Sequence, residues 1–290
     1  MSAPSIHHLV GFEIPDQYQD YDERDSILYA LGLGMGQLVG DSSELRYVYE
    51  KNLTAIPTQL AVLAGSSDWM RDTRTGICWE QLVALSHDLR LSRPLSASGK
   101  VYSKTVVENV YDRGIGRGAI IKWKRVVYDA TNGEEIGTID GQALARGDGG
   151  FGGEPPIRRE FPGIPQRQPD YISEHRTLPG QALIYRLSGD WNPLHADPEV
   201  AREAGLEAPI LHGLCNLGIA AVAIGRTLVG GVGSLMAIGG RYSSIFFPGD
   251  SLRTEIWHED SAVLFRCISC RTKHVVIEDG LASIANVHGS

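Results

Sequence analysis

Within six residues, this 290-residue chain places three side chains able to move protons or make hydrogen bonds: Asp190, Asn192 and His195, in Gly189-Asp-Trp-Asn-Pro-Leu-His195. Asn192-Pro193 favours a turn, which would aim an acid and a base at one point. Further on, Leu211-His212-Gly213-Leu214 opens an apolar run from Pro209 to about Leu228 that reads as a helix. The first N–H groups of a helix have no partner within it and sit at its positive end, so they suit an oxyanion. An acid/base turn beside a helix start fits acyl chemistry. On an α,β-unsaturated thioester, Asp190 and His195 would share the proton work on one water and Asn192 would orient it. The Gly213 amide would receive charge from the thioester oxygen, with no side chain to block close approach. The same residues also suit a plainer role, in which Gly189-Asp190 and Asn192-Pro193 only turn the chain and His195 is a satisfied histidine. His87 and His212 read as structural or substrate-positioning groups.

The flanking elements must hold these groups. A β pattern returns over Gln181 to Leu187 and leads into the turn, and Asp197 caps a short helix ending near Ala204. Small residues Gly218, Ala220, Ala221 and Ala223 would let the main helix lie close to a sheet. Four strands are expected after it, over Leu235 to Phe247, Ser251 to His258, Ala262 to Arg271 and His274 to Ala285. In the first half, Val101 to Tyr111, Ala119 to Tyr128 and Glu135 to Ala145 are long strand candidates. Asn132-Gly133 marks a hairpin between the last two. Before them come an acid-led helix from Asp22 to about Leu38, a strand over Leu45 to Glu50 and an apolar segment from Pro57 to Ala64. A short element from Cys78 to Ser86 then ends at His87-Asp88. Gly32, Gly34 and Gly36 lack the spacing of a dinucleotide loop and suggest close backbone packing.

Gly147-Asp-Gly-Gly-Phe-Gly-Gly153 and the Pro-rich stretch after it break the composition. They divide the chain into an N-terminal unit over 1–150, a linker over 151–170 and a C-terminal unit over 171–290. The halves rhyme, each leading through a Pro-containing turn into three long strands, as two copies of a curved antiparallel sheet against a helix would. The first copy lacks a long apolar helix, and that space is expected to hold a ligand.

An apolar fraction of 42% and a charged fraction of 21% are those of an ordinary globular protein. The net charge of −8 argues against nucleic-acid or anionic-membrane partners. The N-terminal residues form no secretory signal and Val287-His-Gly-Ser290 no peroxisomal address, so the expected location is cytoplasmic. Cys267 and Cys270 have redox-pair spacing, but in a strand they would face opposite sides, so they read as two unrelated thiols.

Tyr185 to His195, Tyr-Arg-Leu-Ser-Gly-Asp-Trp-Asn-Pro-Leu-His, resembles the signature of the hydratase 2 branch of the MaoC-like family, the (R)-specific 2-enoyl-CoA hydratases. Pro209-Ile-Leu-His-Gly-Leu-Cys215, Phe247-Pro-Gly-Asp-Ser-Leu-Arg-Thr-Glu255 and, in the first half, Val110-Tyr-Asp-Arg-Gly114 and Gly149-Gly-Phe-Gly-Gly153 are similar to further family segments. The resemblance implies an α+β double hot-dog fold: two antiparallel sheets, each with a central helix, the first of them reduced to admit a bulky acyl chain. It implies a catalytic pair at Asp190 and His195, with Asn192 beside them and Gly213 as oxyanion donor. Substrate contacts would fall on His87, Asp88, Arg113, Trp191 and Tyr242. Three of these differ in identity from the family pattern, which has Gly, Lys and Phe at 88, 113 and 242. The implied reaction needs no metal or bound redox cofactor, CoA being part of the substrate, and the family expectation is a homodimer. A hot-dog acyl-CoA thioesterase and a non-catalytic acyl-thioester binding protein are the competing readings.

Overall fold

A computed structural model describes residues 6–37, 42–157, 161–228, 230–260 and 262–284. The expectations for the first five residues and for 287–290 lie outside them. Ten strands form one antiparallel sheet: β1 (Gln17–Tyr21), β2 (Leu82–Leu91), β3 (Gly99–Asp112), β4 (Ala119–Asp129), β5 (Glu135–Ala145), β6 (Tyr171–Arg176), β7 (Leu235–Tyr242), β8 (Ser251–Glu259), β9 (Ala262–Ser269) and β10 (Val275–Ile284). Their spatial order is β1-β3-β4-β5-β2-β7-β10-β9-β8-β6. Reading inward from either edge gives the same sequence of elements, since β6, β8, β9, β10 and β7 take the places of β1, β3, β4, β5 and β2. The internal repeat is thus visible as topology, with each half contributing five strands. The two half-sheets join where β2 pairs with β7, His87 lying opposite Gly240.

Alternation builds the inner face. In β4, Ala119, Ile121, Trp123, Arg125 and Val127 are buried, and the residues between them are half-buried, as a strand with one covered face requires. Gly133, at φ 77°, closes the β4–β5 hairpin. The second half lays α5 (Gly213–Gly225) on its sheet, and Cys215 through Gly225 are all buried. In the first half the corresponding cover is a five-residue 3-10 turn, Pro57–Ala61, itself fully buried. A helix of thirteen residues faces one of five, so the first half keeps the space the second fills.

Helix α1 (Glu23–Gly32) starts with a reciprocal cap between Asp22 and Asp25. A Cβ on Gly32 would come 3.1 Å from the Tyr185 backbone, the close packing expected there. Cys267 is buried in β9 and Cys270 lies beyond its end, both as free thiols.

Three expectations are corrected. Leu45 to Glu50 is not a strand: Leu45–Val48 is a helical turn, α2. The turn brings buried Glu44 to the Gly36 amide, 2.8 Å away, and to the Arg226 guanidinium, contacts an extended segment would not make. Gln181 to Leu187 is likewise helical, with α3 spanning Gln181–Tyr185. Its buried residues, Gln181, Ala182 and Tyr185, share a helical face, and the Gln181 amide donates to the Gly32 carbonyl at 2.6 Å. Finally, the element before His87-Asp88 does not end there. Strand β2 runs through both residues, because it is a central strand paired with β5 on one side and β7 on the other. The edge strands β1 and β6 had no sequence expectation at all.

Candidate active site

The turn between α3 and α4 (Pro198–Glu203) carries Asp190, Asn192 and His195, the residues expected to do acid/base work. The Asn192 side-chain oxygen accepts from the Leu194 amide at 3.1 Å and so caps the short turn Pro193–His195. The oxygen thus holds the turn, and the amide nitrogen has no partner in the turn and can be offered to a ligand. Asp190 holds the other side of the turn, its Oδ1 accepting from the Asn192 amide at 3.2 Å. His195 is buried, and its Nδ1 lies 2.8 Å from the Ile210 carbonyl. A carbonyl can only accept, so in neutral His195 the proton sits on Nδ1 and Nε2 presents a lone pair. Burial lowers the His195 pKa, although the Asp190 carboxylate and the Ile210 hydrogen bond pull the other way.

His212, directly before α5, stacks on His195, with ring centroids 3.6 Å apart and planes 29° from parallel. Its Nε2 donates to the Asp190 backbone carbonyl at 3.3 Å, and its Nδ1 is buried without a partner. Burial first, and the neighbouring His195 second, push the His212 pKa down to about 2. One donor atom from each of Asp190, His195 and His212 can be chosen so that all lie within 4.8 Å of one another, close enough to share one small molecule.

Gly213 is the first residue of α5. A Cβ there would meet the Tyr242 ring at 3.0 to 3.2 Å, so the ring lies across the helix start only because no side chain intervenes. The Tyr242 hydroxyl in turn lies 3.0 Å from His87 Nδ1. His87 is held neutral, its pKa brought to about 4 by burial and then by the Arg125 charge. The groups from the two halves therefore meet across the β2–β7 junction.

All of them except His212, which lies behind His195, border one cavity of about 510 Å³. Asp190, Asn192, His195, Gly213, Asn216 and Tyr242 line its second-half side. His87, Trp123, Arg125 and the segments Ala61–Val62 and Gly65–Ser67 line the first-half side, over the short turn that replaces a helix. Of the substrate positions expected from sequence, His87 and Tyr242 are brought together with the acid/base turn. Asp88, Arg113 and Trp191 are not among the cavity walls. Asp88 alternates with His87 along β2 and lies over Gly239, where a Cβ would be 1.9 Å from its Oδ1. Arg113 sits in a turn that the Asp112 carboxylate ties to the linker through the Gly114, Gly150 and Gly152 amides. Trp191 is 56% exposed, with the Arg186 guanidinium 4.4 Å above its ring.

The cavity also includes residues with no expectation from sequence. Arg146 follows β5 at the start of the Gly-rich linker, Arg125 stands in the inner row of β4, and Asn216 lies in the first turn of α5. An arginine at an inward position of a strand was the readable signal for Arg125. Asn216 carried none beyond being a polar residue in an apolar run.

A helix-on-sheet unit duplicated around a central seam is the arrangement called a double hot-dog. A Mycobacterium tuberculosis protein described as having a double hotdog fold superposes with a TM-score of 0.55 at 14% identity, covering 94% of this chain and 96% of that one. A MaoC-like dehydratase from Phytophthora capsici superposes with a TM-score of 0.81 at 30% identity, covering 95% and 97%. Residues 19–147 match the MFE-2 hydratase 2 N-terminal domain, and residues 160–280 match the MaoC like domain. A peroxisomal enoyl-CoA hydratase 2 of Arabidopsis thaliana is 35% identical over 275 residues, which cover 89% of this chain and 88% of that protein. The chain belongs to the MaoC-like family, in its hydratase 2 branch.

Proposed function

We propose that this protein adds water to trans-2-enoyl-CoA to give (3R)-3-hydroxyacyl-CoA, and runs the reverse dehydration. The observation that carries the chemistry is the convergence of Asp190, His195 and the Gly213 helix start on one cavity. Neutral His195 takes a proton from water at Nε2, and the Asp190 carboxylate orients that water and stabilises the imidazolium that forms. The water oxygen bonds to Cβ, the Cα–Cβ π electrons move toward the thioester, and the oxygen's charge is met by the Gly213 N–H. The imidazolium then returns its proton to Cα, so the net change is one water added and the thioester kept. His212, stacked on His195, fixes the ring's tilt. Asn192 offers its amide nitrogen to the substrate, and Tyr242 with His87 closes the cavity beside the helix start.

Conjugation with the thioester already polarises Cβ, so acid/base groups and one amide suffice without a metal or redox cofactor. Arg146 is a cationic wall residue suited to a CoA phosphate, whereas Arg113, expected as a substrate contact, is not part of the wall. We assign the active form as a homodimer, which light scattering on the purified protein tests. Among the described residues no helix is long and apolar enough to cross a membrane. A cytoplasmic location is our reading, tested by imaging a tagged chain, with a peroxisomal pattern as the contrary result. The reaction itself is tested by incubating trans-2-enoyl-CoA with the protein and resolving the product enantiomers. Release of free thiol would mark a thioesterase, and tight binding without turnover a carrier.

A further inference from the structure

The first-half side of the cavity contains a charge that no described carboxylate balances. Arg125 is only 6% exposed, yet it lines the cavity. Its Nη2 donates to the Ala61 carbonyl, and its Nε has no partner. Among the described residues no carboxylate pairs with it, and its only aromatic neighbour is Trp123, with the guanidinium carbon 5.8 Å from the ring centre. Burial alone acts on its pKa, lowering it to about 10, so it stays protonated at neutral pH. A buried cation without a partner is costly to keep, so a ligand that pairs with it is favoured. Space has also been kept for it. A Cβ on Gly65 would lie 2.2 Å from Nη1 and 2.8 Å from Nη2, and the Gly65 backbone has no positive φ that would call for glycine on other grounds.

Arg125 stands beside the row of residues that carries His87. Trp123 pairs with Gly141 of β5, Gly141 with His87 of β2, and His87 with Gly240 of β7, so these residues form one row across the sheet. The His87 ring packs edge-on against Trp123 at 5.7 Å. Arg125 is two residues further along β4, opposite Ile139 of β5, and two strand spacings plus those two residues put its backbone about 12 Å from that of His87.

We propose that Arg125 is a specificity-determining residue that binds a carboxylate at the far end of the acyl chain, so that the preferred substrates are the CoA thioesters of dicarboxylic enoic acids. A hydrocarbon terminus would leave the guanidinium unpaired, and a hydroxyl would meet a donor without neutralising the charge. A carboxylate does both. This inference rests on the hydratase reading for its turnover measurements.

The test compares trans-2-enoyl-CoAs of graded length ending in methyl, hydroxyl or carboxylate. At the length that reaches Arg125, the carboxylate-ended substrate should have a kcat/KM about tenfold or more above the methyl-ended one. Arg125→Met should reverse that order, lowering the first value and raising the second. Gly65→Ala, which crowds the guanidinium without removing it, should move the ratio in the same direction and carries the test if Arg125→Met fails to fold. Calorimetric binding of the saturated counterparts should show the same preference and the same reversal, independent of turnover. A wild-type enzyme that favours methyl ends at every length, hydroxyl ends that match carboxylate ends, or a ratio untouched by both substitutions would overturn the assignment. Preserved binding preference with no hydration of any substrate would instead sink the hydratase reading alone.

Discussion

The imidazole rings of His195 and His212 lie face to face, 3.6 Å between centroids, at the point where the acid/base turn meets the start of α5. Two cationic rings could not share this contact, and burial with mutual repulsion keeps His212 neutral. The stack therefore gives His195 a flat neutral wall and leaves its Nε2 free. His212→Ala should lower kcat about tenfold with a smaller change in KM, the loss falling on orientation rather than binding. His212→Phe should retain more activity than His212→Ala, because it keeps the stacking surface. Steady-state kinetics on both variants check this, and equal losses would show that the hydrogen bond to Asp190, rather than the stack, matters.

Gly213 and Tyr242 form a second linked pair. In Gly213→Ala the new methyl meets the Tyr242 ring at about 3 Å, so either the ring or the helix start must shift. Losing the alignment of one oxyanion donor is expected to cost about 10² to 10³ in kcat. Tyr242→Phe keeps the ring and removes only the partner of His87 Nδ1, so it should cost stability, about 1 to 3 kcal/mol for the unsatisfied buried nitrogen, more than turnover. Denaturant titration beside kinetics separates the two outcomes.

Stability should fall as the pH drops through the imidazole range. Burial lowers the folded-state pKa of His87 and of His175 to about 4, and that of His212 to about 2. Each group is neutral in the folded protein while the unfolded chain begins to bind protons below about 6.5. The unfolded state then binds more protons, so unfolding becomes easier as pH falls from about 6.5 toward 4, with no matching change above 7. Thermal melts across pH 4 to 8 should show this slope, and His87→Phe should flatten part of it.

Much of this was readable from the chain because alternation and turn chemistry are local. The long strands β3, β4 and β5 announce themselves by residues such as Ile121 and Val127, and Asn132-Gly133 marks their hairpin. The duplication was visible in the paired runs of strands, and the turn itself in Gly189-Asp190 and Asn192-Pro193. What could not be read depends on contacts distant in sequence. Gln181 to Leu187 reads as a strand from its apolar run, yet Gln181 reaches the end of α1 and holds the segment helical. Arg113 stands on a motif, but Asp112 ties its turn to the linker, and Arg146 lines the cavity instead. The stack of His195 on His212 joins residues seventeen apart through the extended segment before α5, where Leu211 pairs with the Phe246 carbonyl.

A chelator separates the acid/base account from a metal-assisted one, since Asp190, His195 and His212 together could also bind an ion. Dialysis against a strong chelator should leave the hydration rate unchanged, and added zinc should inhibit by occupying His195 Nε2. A rate that falls on dialysis and returns with a metal would contradict the proposed mechanism.

The most direct measurement is stereochemically resolved hydration of trans-2-enoyl-CoA by the wild type, Asp190→Asn and His195→Gln, with melting curves recorded on the same samples. The expected result is (3R)-3-hydroxyacyl-CoA from the wild type and a loss of about 10² to 10⁴ in kcat for each variant without loss of the folded state. Full activity in both variants, or a product of the opposite hand, would contradict it.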